Sequence, residues 1–220
     1  MQDHDLLVSL EGIDRTGKTE IVAAIEEALH DRSLPVYAIH DPPRLDPWEE
    51  IQREFLDRET DMSRPGVAFL FLAARLDGVQ REVIPALSEE TLVVADRYVD
   101  SWIAYHAHRL AGPLGTLDRA IEFLTAMHAR VSDAGLLPFP RRTWLIRDDP
   151  GEVLKRKGGE DSLWETLEVQ RRVAEVYNRL AEREPKRIRV VDAQGKALNG
   201  VRDLVVSEVL DYCIRAADTF

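Results

Sequence analysis

Residues 12–19 read Gly-Ile-Asp-Arg-Thr-Gly-Lys-Thr, which is a complete G-x-x-x-x-G-K-[ST] phosphate-binding loop. In such a loop the glycines let the backbone turn its N–H groups inward, and the start of the following helix adds partial positive charge for phosphate oxygens. The lysine reaches the β- and γ-phosphates, and the last hydroxyl ligates Mg²⁺. The motif therefore predicts that a nucleoside triphosphate and Mg²⁺ are held by Gly12, Asp14, Thr16, Gly17, Lys18 and Thr19.

Two further residues suit phosphoryl transfer. Arg15 lies inside the loop, where its guanidinium would project over the phosphates and stabilise charge on the transferred group. Asp96 directly follows an apolar run, the place where P-loop enzymes carry a carboxylate near Mg²⁺. With Lys18, these residues form the predicted catalytic set, and Thr19 with Asp96 forms the predicted metal site. The alternatives are a solvent-facing arginine at position 15, and a helix cap or an ion pair with Arg97 for Asp96.

Arg44, Arg75 and Arg97 stand at predicted helix or loop positions that face the same region. An arginine fork binds a phosphate or a base edge through two parallel hydrogen bonds. Singly, each of these arginines could equally form a surface ion pair. Together, next to a phosphate-binding loop, they predict a second anionic substrate.

Residues 155–161 read Lys-Arg-Lys-Gly-Gly-Glu-Asp, a basic segment between two predicted helices. We expect either a short lid, at about 155–163, that closes over the phosphates and excludes water, or a solvated helix end whose positive charges suit the helix dipole.

The elements that must position these residues alternate between strand-like and helical runs, which is typical of a parallel sheet covered on both faces. The chain is predicted to be one α/β domain over residues 1–220. The predicted strands are 6–10, 35–39, 91–95, 142–146 and 187–191, and the predicted helices follow the loop and cover 47–58, 65–86, 100–111, 116–132, 150–157, 164–184 and 198–215.

The residues singled out above fall mainly in the loops that follow predicted strands. These loops are 12–19, 40–44, 96–98, 147–150 and 192–196. Because an open parallel sheet binds ligands at the carboxyl ends of its strands, the loops predict one shared cleft.

Composition narrows the classes of partner. The formal net charge of −11 argues against a nucleic-acid or anionic-membrane surface. The single cysteine, Cys213, cannot form an intrachain disulfide and is compatible with a reducing compartment. We find no signal-peptide pattern and no apolar run long enough to cross a bilayer, so we expect a cytoplasmic protein without membrane or nucleic-acid partners. The spacing of His40, His106 and His108 matches none of the common zinc patterns.

The chain resembles the thymidylate kinase family over nearly its whole length. The resemblance is carried by the loop at 10–19, by Phe-Leu-Phe-Leu-Ala-Ala-Arg at 69–75, and by Val-Val-Ala-Asp-Arg-Tyr at 93–98. The Asp-Arg-Tyr sequence and the helix running from phenylalanine to arginine are its specific parts, since the phosphate-binding loop alone is shared by many ATPases.

The resemblance implies a P-loop NTPase-type five-stranded parallel sheet and the reaction of dTMP with MgATP to give dTDP and ADP. By the same resemblance, Phe71 stacks on thymine, Arg75 binds a base carbonyl, Arg97 and Arg44 hold the acceptor phosphate, and Asp14 lies near the sugar 3′-hydroxyl. It places Ser101 and Gln170 around the base, Trp164 beside the deoxyribose, Tyr105 on the substrate side, and Arg156 and Ala193 on the ATP side. Arg15 matches the family members that carry the catalytic arginine in the loop, and the family commonly forms homodimers.

Several positions depart from the family pattern. The segment Asp41-Pro42-Pro43-Arg44 lacks the usual glutamate, and Glu20, Ala74, His106 and Arg147 replace residue types that are more frequent in the family. These departures leave open a kinase for another or modified nucleoside monophosphate, or for a nucleoside. A non-catalytic nucleotide-binding regulator is a further alternative. A switch GTPase is disfavoured because neither Asn178 nor Asn199 begins the Asn-Lys-x-Asp guanine signature.

Overall fold

The computed structural model describes residues 3–43, 45–57, 63–156 and 164–217. Its centre is a five-stranded sheet in the order β2-β3-β1-β4-β5, in which every neighbouring pair is parallel. This confirms the predicted parallel sheet. The strands are β1 Asp3–Glu11, β2 Val36–His40, β3 Leu92–Asp96, β4 Phe139–Arg147 and β5 Ile188–Asp192.

The central position of β1 follows from its side chains. β1 pairs with β3 on one side and with β4 on the other, and Leu7, Val8 and Leu10 are fully buried. Its one small polar side chain in this run, Ser9, hydrogen-bonds Thr143 of β4 at 2.8 Å between the two hydroxyl oxygens. A continuous apolar run is what a strand covered on both faces requires, and β1 carries the phosphate-binding loop directly from this core.

Helices cover both faces of the sheet. α1 and α9 share one core with one face, while α3, α5, α6 and α8 contribute to the core on the other. The helices are α1 Lys18–His30, α2 Trp48–Asp57, α3 Arg64–Gly78, α4 Ile84–Ser88, α5 Val99–Leu114, α6 Leu117–Asp133, α7 Pro150–Arg156, α8 Leu167–Arg183 and α9 Leu198–Ala217. Among the described residues, no helix is long and apolar enough to cross a membrane.

The helix predicted at 65–86 is more complex than its pattern indicates. α3 and α4 are joined by a π-helical turn, Val79–Val83, so that helical backbone continues from residue 64 to residue 88. Its start is set by Ser63, whose hydroxyl accepts a hydrogen bond from the Gly66 N–H at 3.3 Å, with Pro65 in the first turn. A π turn adds one residue without ending the helix, and hydrophobic spacing alone does not reveal it.

Candidate active site

A cleft of about 880 Å³ opens at the carboxyl edge of the sheet. Its walls come from the loop after β1, the ends of β2 and β3, the helices α1, α3 and α5, and the segment before α8. Most of the residues singled out from the sequence line it: Asp14, Arg15, Gly17, Lys18, Thr19, Phe71, Arg75, Asp96, Arg97, Ser101, Tyr105 and Trp164. Three of the five loops predicted to share a cleft, 12–19, 40–44 and 96–98, contribute to this lining, whereas 147–150 and 192–196 contribute no lining residue. Phosphate-loop residues and aromatic residues nevertheless lie in one space.

The phosphate-binding loop has the backbone its glycines allow. Gly12 and Gly17 have φ of +145° and +83°, and a Cβ atom at Gly12 would lie 2.5 Å from the carbonyl oxygen of Ile146 in β4. Gly17 directly precedes α1, whose first residue is Lys18. The N-terminus of α1 therefore points its N–H groups into the loop, as a phosphate site requires.

Lys18 is folded against the loop. Its Nζ donates to the carbonyl oxygen of Ile13 at 2.7 Å and to Oγ1 of Thr16 at 3.2 Å, and only 5% of the residue is exposed. Burial and the nearby Arg97 cation lower the pKa of Lys18 to about 7. Phosphate oxygens entering the loop would supply the negative charge that favours the ammonium form.

Thr19 and Asp96 meet at the end of β3. Thr19 Oγ1 donates to Asp96 Oδ2 at 2.6 Å, and His40 Nδ1 lies 3.6 Å from the same oxygen. Burial raises the pKa of Asp96, but the nearby His40, the Lys18 charge and the hydrogen bond from Thr19 outweigh it and hold the pKa at about 2. Asp96 Oδ1 is buried and has no hydrogen-bond partner within the described ranges.

This donor set fits Mg²⁺, which prefers oxygen ligands and is commonly held by one carboxylate, one hydroxyl and substrate phosphates. The described residues contain no group of three or more His, Cys, Asp or Glu side chains that could bind a metal ion on its own. Phosphate oxygens would have to complete the coordination, which places the candidate metal site at the mouth of the phosphate loop.

Arg15 crosses the cleft from the loop to the segment before α8. Its Nη2 donates to Glu165 Oε2 at 2.6 Å, and 7% of the side chain is exposed. A side chain that is this little exposed is not the solvent-facing arginine that the sequence left open. The backbone of Arg15 has φ of +65°, a left-handed conformation that is costly for an arginine.

Arg97 is tied to Asp14, and the ion pair with Asp96 that the sequence left open is not its main contact. Its Nη2 bonds Asp14 Oδ1, and its Nη1 donates to the carbonyl oxygen of Gly12 at 2.9 Å. Asp14 Oδ2 accepts hydrogen bonds from Tyr105 and Gln170, both at 2.6 Å. Burial raises the pKa of Asp14, but Arg97, Lys18 and these hydrogen bonds outweigh that effect and hold the pKa below its ordinary value. The network joins the loop, α5 and α8.

Glu11 is a buried acid that the sequence analysis did not single out. Its Oε1 accepts the Tyr98 N–H at 2.8 Å, and its Oε2 accepts the hydroxyl groups of Ser101 and Tyr177. Burial and the nearby Asp100 raise the pKa of Glu11 to about 7. An acidic residue that ends an otherwise apolar strand is the signal that could have found it. Ser101, assigned to the base by resemblance, has its hydroxyl in this network and also lines the cleft.

Aromatic rings form the other end of the cleft. The ring centroid of His106 lies 5.4 Å from that of Phe71 and 5.8 Å from that of Trp164, and Trp164 lies 6.3 Å from Tyr105. His106 is 2% exposed. Its burial, with the Arg109 and Arg75 cations, keeps its pKa well below the ordinary value. This end of the cleft therefore offers flat, uncharged surfaces on which a planar base can stack.

Arg75 lines the same cleft and is paired with Asp41. Its Nε donates to Asp41 Oδ1 at 2.9 Å, while its Nη2 bonds Asp41 Oδ2 and approaches the carbonyl oxygen of Tyr98 at 3.3 Å. The fork that could have clamped a phosphate is occupied by this carboxylate. Arg75 Nη1 is buried without a hydrogen-bond partner among the described residues.

The remaining predicted site residues either do not line the cleft or fall outside the described residues. Ala193 directly follows β5, and its N–H donates to the carbonyl oxygen of Arg147 at 2.8 Å. Gly12, Thr16 and Gln170 support the cleft from behind the residues that line it. Arg44, the side chain of Arg156 and most of the predicted lid fall outside the described residues.

Comparisons with known proteins identify the family. The family model for thymidylate kinase matches residues 10–204. The thymidylate kinase of Symbiobacterium thermophilum is 34% identical over 97% of this chain and 98% of its own length. That of Chlorobaculum tepidum is 32% identical over 96% of this chain and 100% of its own length.

Among solved structures, the thymidylate kinase of Candida albicans superposes with a TM-score of 0.73 at 24% identity, covering 98% of this chain and 94% of that one. This likeness concerns the fold, which is that of a P-loop NTPase. The match of the family model and of the relatives over nearly the whole length decides the family, and the chain belongs to the thymidylate kinases.

Proposed function

We propose that this enzyme transfers the γ-phosphoryl group of ATP to the 5′-phosphate of dTMP and so produces dTDP and ADP. The relatives and the family model are thymidylate kinases, which are phosphotransferases. The observation that carries the proposal is the division of one cleft into a cationic end, with Lys18, Arg15 and Arg97, and an aromatic end around Phe71. The cationic end suits phosphates, and the aromatic end suits a nucleobase.

In the reaction, a phosphate oxygen of dTMP attacks the γ-phosphorus of ATP, and the bond to the β–γ bridging oxygen breaks in line with it. There is little covalent chemistry for the protein beyond positioning and charge stabilisation. Lys18 holds the β- and γ-phosphates, and Arg15 leaves Glu165 to stabilise charge on the migrating group. Mg²⁺, when bound between Thr19, Asp96 and the phosphates, would neutralise negative charge on ATP.

The acceptor is positioned by the network around Asp14. Arg97 can exchange Asp14 for the acceptor phosphate, and the freed Asp14 carboxylate can accept from the sugar 3′-hydroxyl. Arg44 would add a second cation to the acceptor phosphate by the family resemblance. Phe71 and Trp164 enclose the base and the sugar, and Tyr105 and Gln170 hold Asp14 on the acceptor side.

The proposal is tested by MgATP-dependent ADP formation with dTMP, dUMP, UMP, CMP, AMP, GMP and thymidine as acceptors. We expect dTMP to give the highest kcat/KM. Preference for another monophosphate would favour the alternative kinase function and would make His106 and the 41–44 segment the first candidates for specificity. ATP binding without turnover on the whole panel would favour a regulator.

We further infer that residues 1–220 act as one domain with a short lid at about 155–163, and that the enzyme is a cytoplasmic homodimer. The family resemblance supports the dimer. The single cysteine, which is buried, suits a reducing compartment. Light scattering at micromolar concentration tests the dimer: a mass near 25.0 kDa, that of one chain, would contradict it.

A further inference from the structure

The pair of Asp41 and Arg75 lines the cleft and is almost fully buried. The side chains are 5% and 3% exposed, and the carboxylate and guanidinium meet through two parallel contacts. Asp41 directly follows β2, and its N–H donates to the carbonyl oxygen of Asp96 in β3 at 3.0 Å. The sheet therefore fixes the place of the carboxylate, and the carboxylate fixes the guanidinium.

Asp41 leaves one nitrogen of the Arg75 fork without an acceptor among the described residues. Nε and Nη2 are used by Asp41 and by the carbonyl of Tyr98, while Nη1 is buried without a partner in the described part of the chain. The guanidinium carbon lies 5.7 Å from the ring centre of Tyr98 and 5.8 Å from that of Trp102. Both rings restrict rotation of the fork, so Nη1 has a defined direction.

The same pair sets the charge of the Arg75 end of the cleft. The Asp41 carboxylate offsets the Arg75 charge, and the neighbouring His106 ring is neutral because burial and the Arg109 cation hold its pKa low. A compensated arginine attracts a phosphate weakly compared with an open one, but it still donates to a neutral carbonyl oxygen. Phosphates are therefore directed to the Lys18 end, and the Arg75 end is left for an uncharged ring.

We propose that Asp41 is a positioning residue for the acceptor: it holds Arg75 so that Nη1 alone donates to a carbonyl oxygen of the pyrimidine base. The proposal rests on the proposed function, and it assigns a task to a residue of the segment that departs from the family pattern. If the role of Asp41 were purely structural, it would only neutralise the buried Arg75 cation and would not position Arg75 for the base.

The test is a double-mutant cycle with Asp41→Asn and Arg75→Gln, read as KM for dTMP, KM for ATP and kcat. We expect Asp41→Asn to raise KM for dTMP about tenfold or more, the order expected for one hydrogen bond from a charged donor, and to leave KM for ATP within about twofold. In the Arg75→Gln background the same substitution should have little further effect on KM for dTMP, because coupled residues are not additive.

Asp77→Asn is the matched control. Asp77 lies on the same helix as Arg75 and pairs with Arg81 at 3.2 Å, but its side chain is 39% exposed. We expect this variant to keep all three kinetic constants. Thermal unfolding of every variant shows whether the fold is intact.

If Asp41→Asn does not fold, Asp41→Glu answers the same question, because it keeps the charge and moves the carboxylate by one methylene. It should fold and raise KM for dTMP above that of the wild type. An unchanged KM for dTMP in a folded Asp41 variant, or a full additional loss in the Arg75→Gln background, would overturn the proposal. Failure of the proposed function is detected separately, because the wild type would then not phosphorylate dTMP. In that case KM in the double-mutant cycle is measured with the monophosphate that the wild type does use.

Discussion

At the scale of single residues, two arginines of the site share a costly backbone. Arg15 and Arg97 have φ of +65° and +71°, in the left-handed region that costs an ordinary residue about 1 kcal/mol. Their side chains both turn inward, Arg15 toward Glu165 and Arg97 toward Asp14. Because strained backbone conformations persist mainly at functional sites, we infer that the cleft needs the cations of Arg15 and Arg97 for function.

Replacing Arg15 with alanine tests that need directly. We expect kcat to fall by about 10³ or more, the effect of removing an arginine that stabilises the transferred phosphoryl group. ATP affinity, measured by calorimetry, should remain nearly unchanged, because Lys18 and the loop backbone hold the nucleotide. Arg15→Lys is the control that keeps the charge but loses the planar fork. A loss of kcat below roughly tenfold would remove Arg15 from the mechanism.

At the scale of elements, the loop between β1 and α1 depends on how closely it passes β4. Gly12 would place a Cβ atom 2.5 Å from the carbonyl oxygen of Ile146, whereas Gly195, with φ of +71°, has open space around its Cβ position. Substituting Gly195 therefore tests the cost of the backbone conformation alone, whereas substituting Gly12 also tests the cost of the close approach to β4.

We expect Gly195→Ala to cost about 1 kcal/mol of stability from its left-handed backbone alone. Gly12→Ala should cost more than about 2 kcal/mol, because the loop must also move away from β4, and ATP binding should weaken with it. Urea unfolding and calorimetric ATP titration measure both. Equal effects of the two substitutions would show that the approach to β4 does not matter.

α6 contributes a buried histidine to the core. His128 is fully buried, its ring centroid lies 4.2 Å from that of Phe139, and neither ring nitrogen has a hydrogen-bond partner among the described residues. Burial, with the Arg75 and Arg187 cations, lowers its pKa to about 3. The neutral form is therefore the one that this helix can accommodate.

Replacing His128 with leucine should stabilise the fold by about 1 kcal/mol at pH 7, because unpaired buried nitrogens are removed. The pKa of His128 is lower in the folded protein than its unfolded value of about 6.5. The unfolded chain therefore takes up a proton first, and the wild type loses stability as the pH falls from about 6.5 toward 3. The advantage of His128→Leu over wild type should therefore grow by about 2 kcal/mol between pH 7 and pH 5. The exposed His30, replaced in the same way, serves as control, and a pH-independent difference for His128→Leu would contradict the argument.

At the scale of the whole molecule, charge is distributed unevenly. The chain carries a formal net charge of −11, yet Lys18, Arg15 and Arg97 all line one end of the cleft. Because the cleft is built from the ends of several strands and from helices on both faces of the sheet, a ligand that binds there contacts parts of the fold that are far apart in sequence.

Ligand binding should therefore stabilise the protein as a unit. At about 100 times its dissociation constant, dTMP should raise the free energy of unfolding by about 2.7 kcal/mol, equivalent to roughly 5–10 °C in Tm for a chain of this size. The same concentration of dCMP should give a smaller shift, because its base has an amino group where thymine has a carbonyl. Scanning calorimetry decides this, and equal shifts would show that the base is not recognised.

The sequence was sufficient for the parts of this architecture that are local. All five strands were expected within a few residues of their observed bounds, because buried strands read as short apolar runs. The loops after the first three strands predicted the cleft, but those after β4 and β5 do not line it. Partners distant in sequence could not be derived: Arg97 with Asp14, Arg75 with Asp41, and Glu11 with Tyr177 are separated by 83, 34 and 166 residues. Which fork meets which carboxylate depends on packing that no local pattern records.

The π-helical turn at Val79–Val83 has a consequence for comparing relatives position by position. One extra residue in a helix rotates everything beyond it by about 100° around the axis. Phe71 and Arg75 lie before the turn and Leu87 lies after it, yet all belong to the buried side of the helix. A relative that lacks the extra residue must be aligned with a gap inside 79–83, since an ungapped alignment through this helix would set either the base-side residues or the residues packed on β3 against the wrong counterparts.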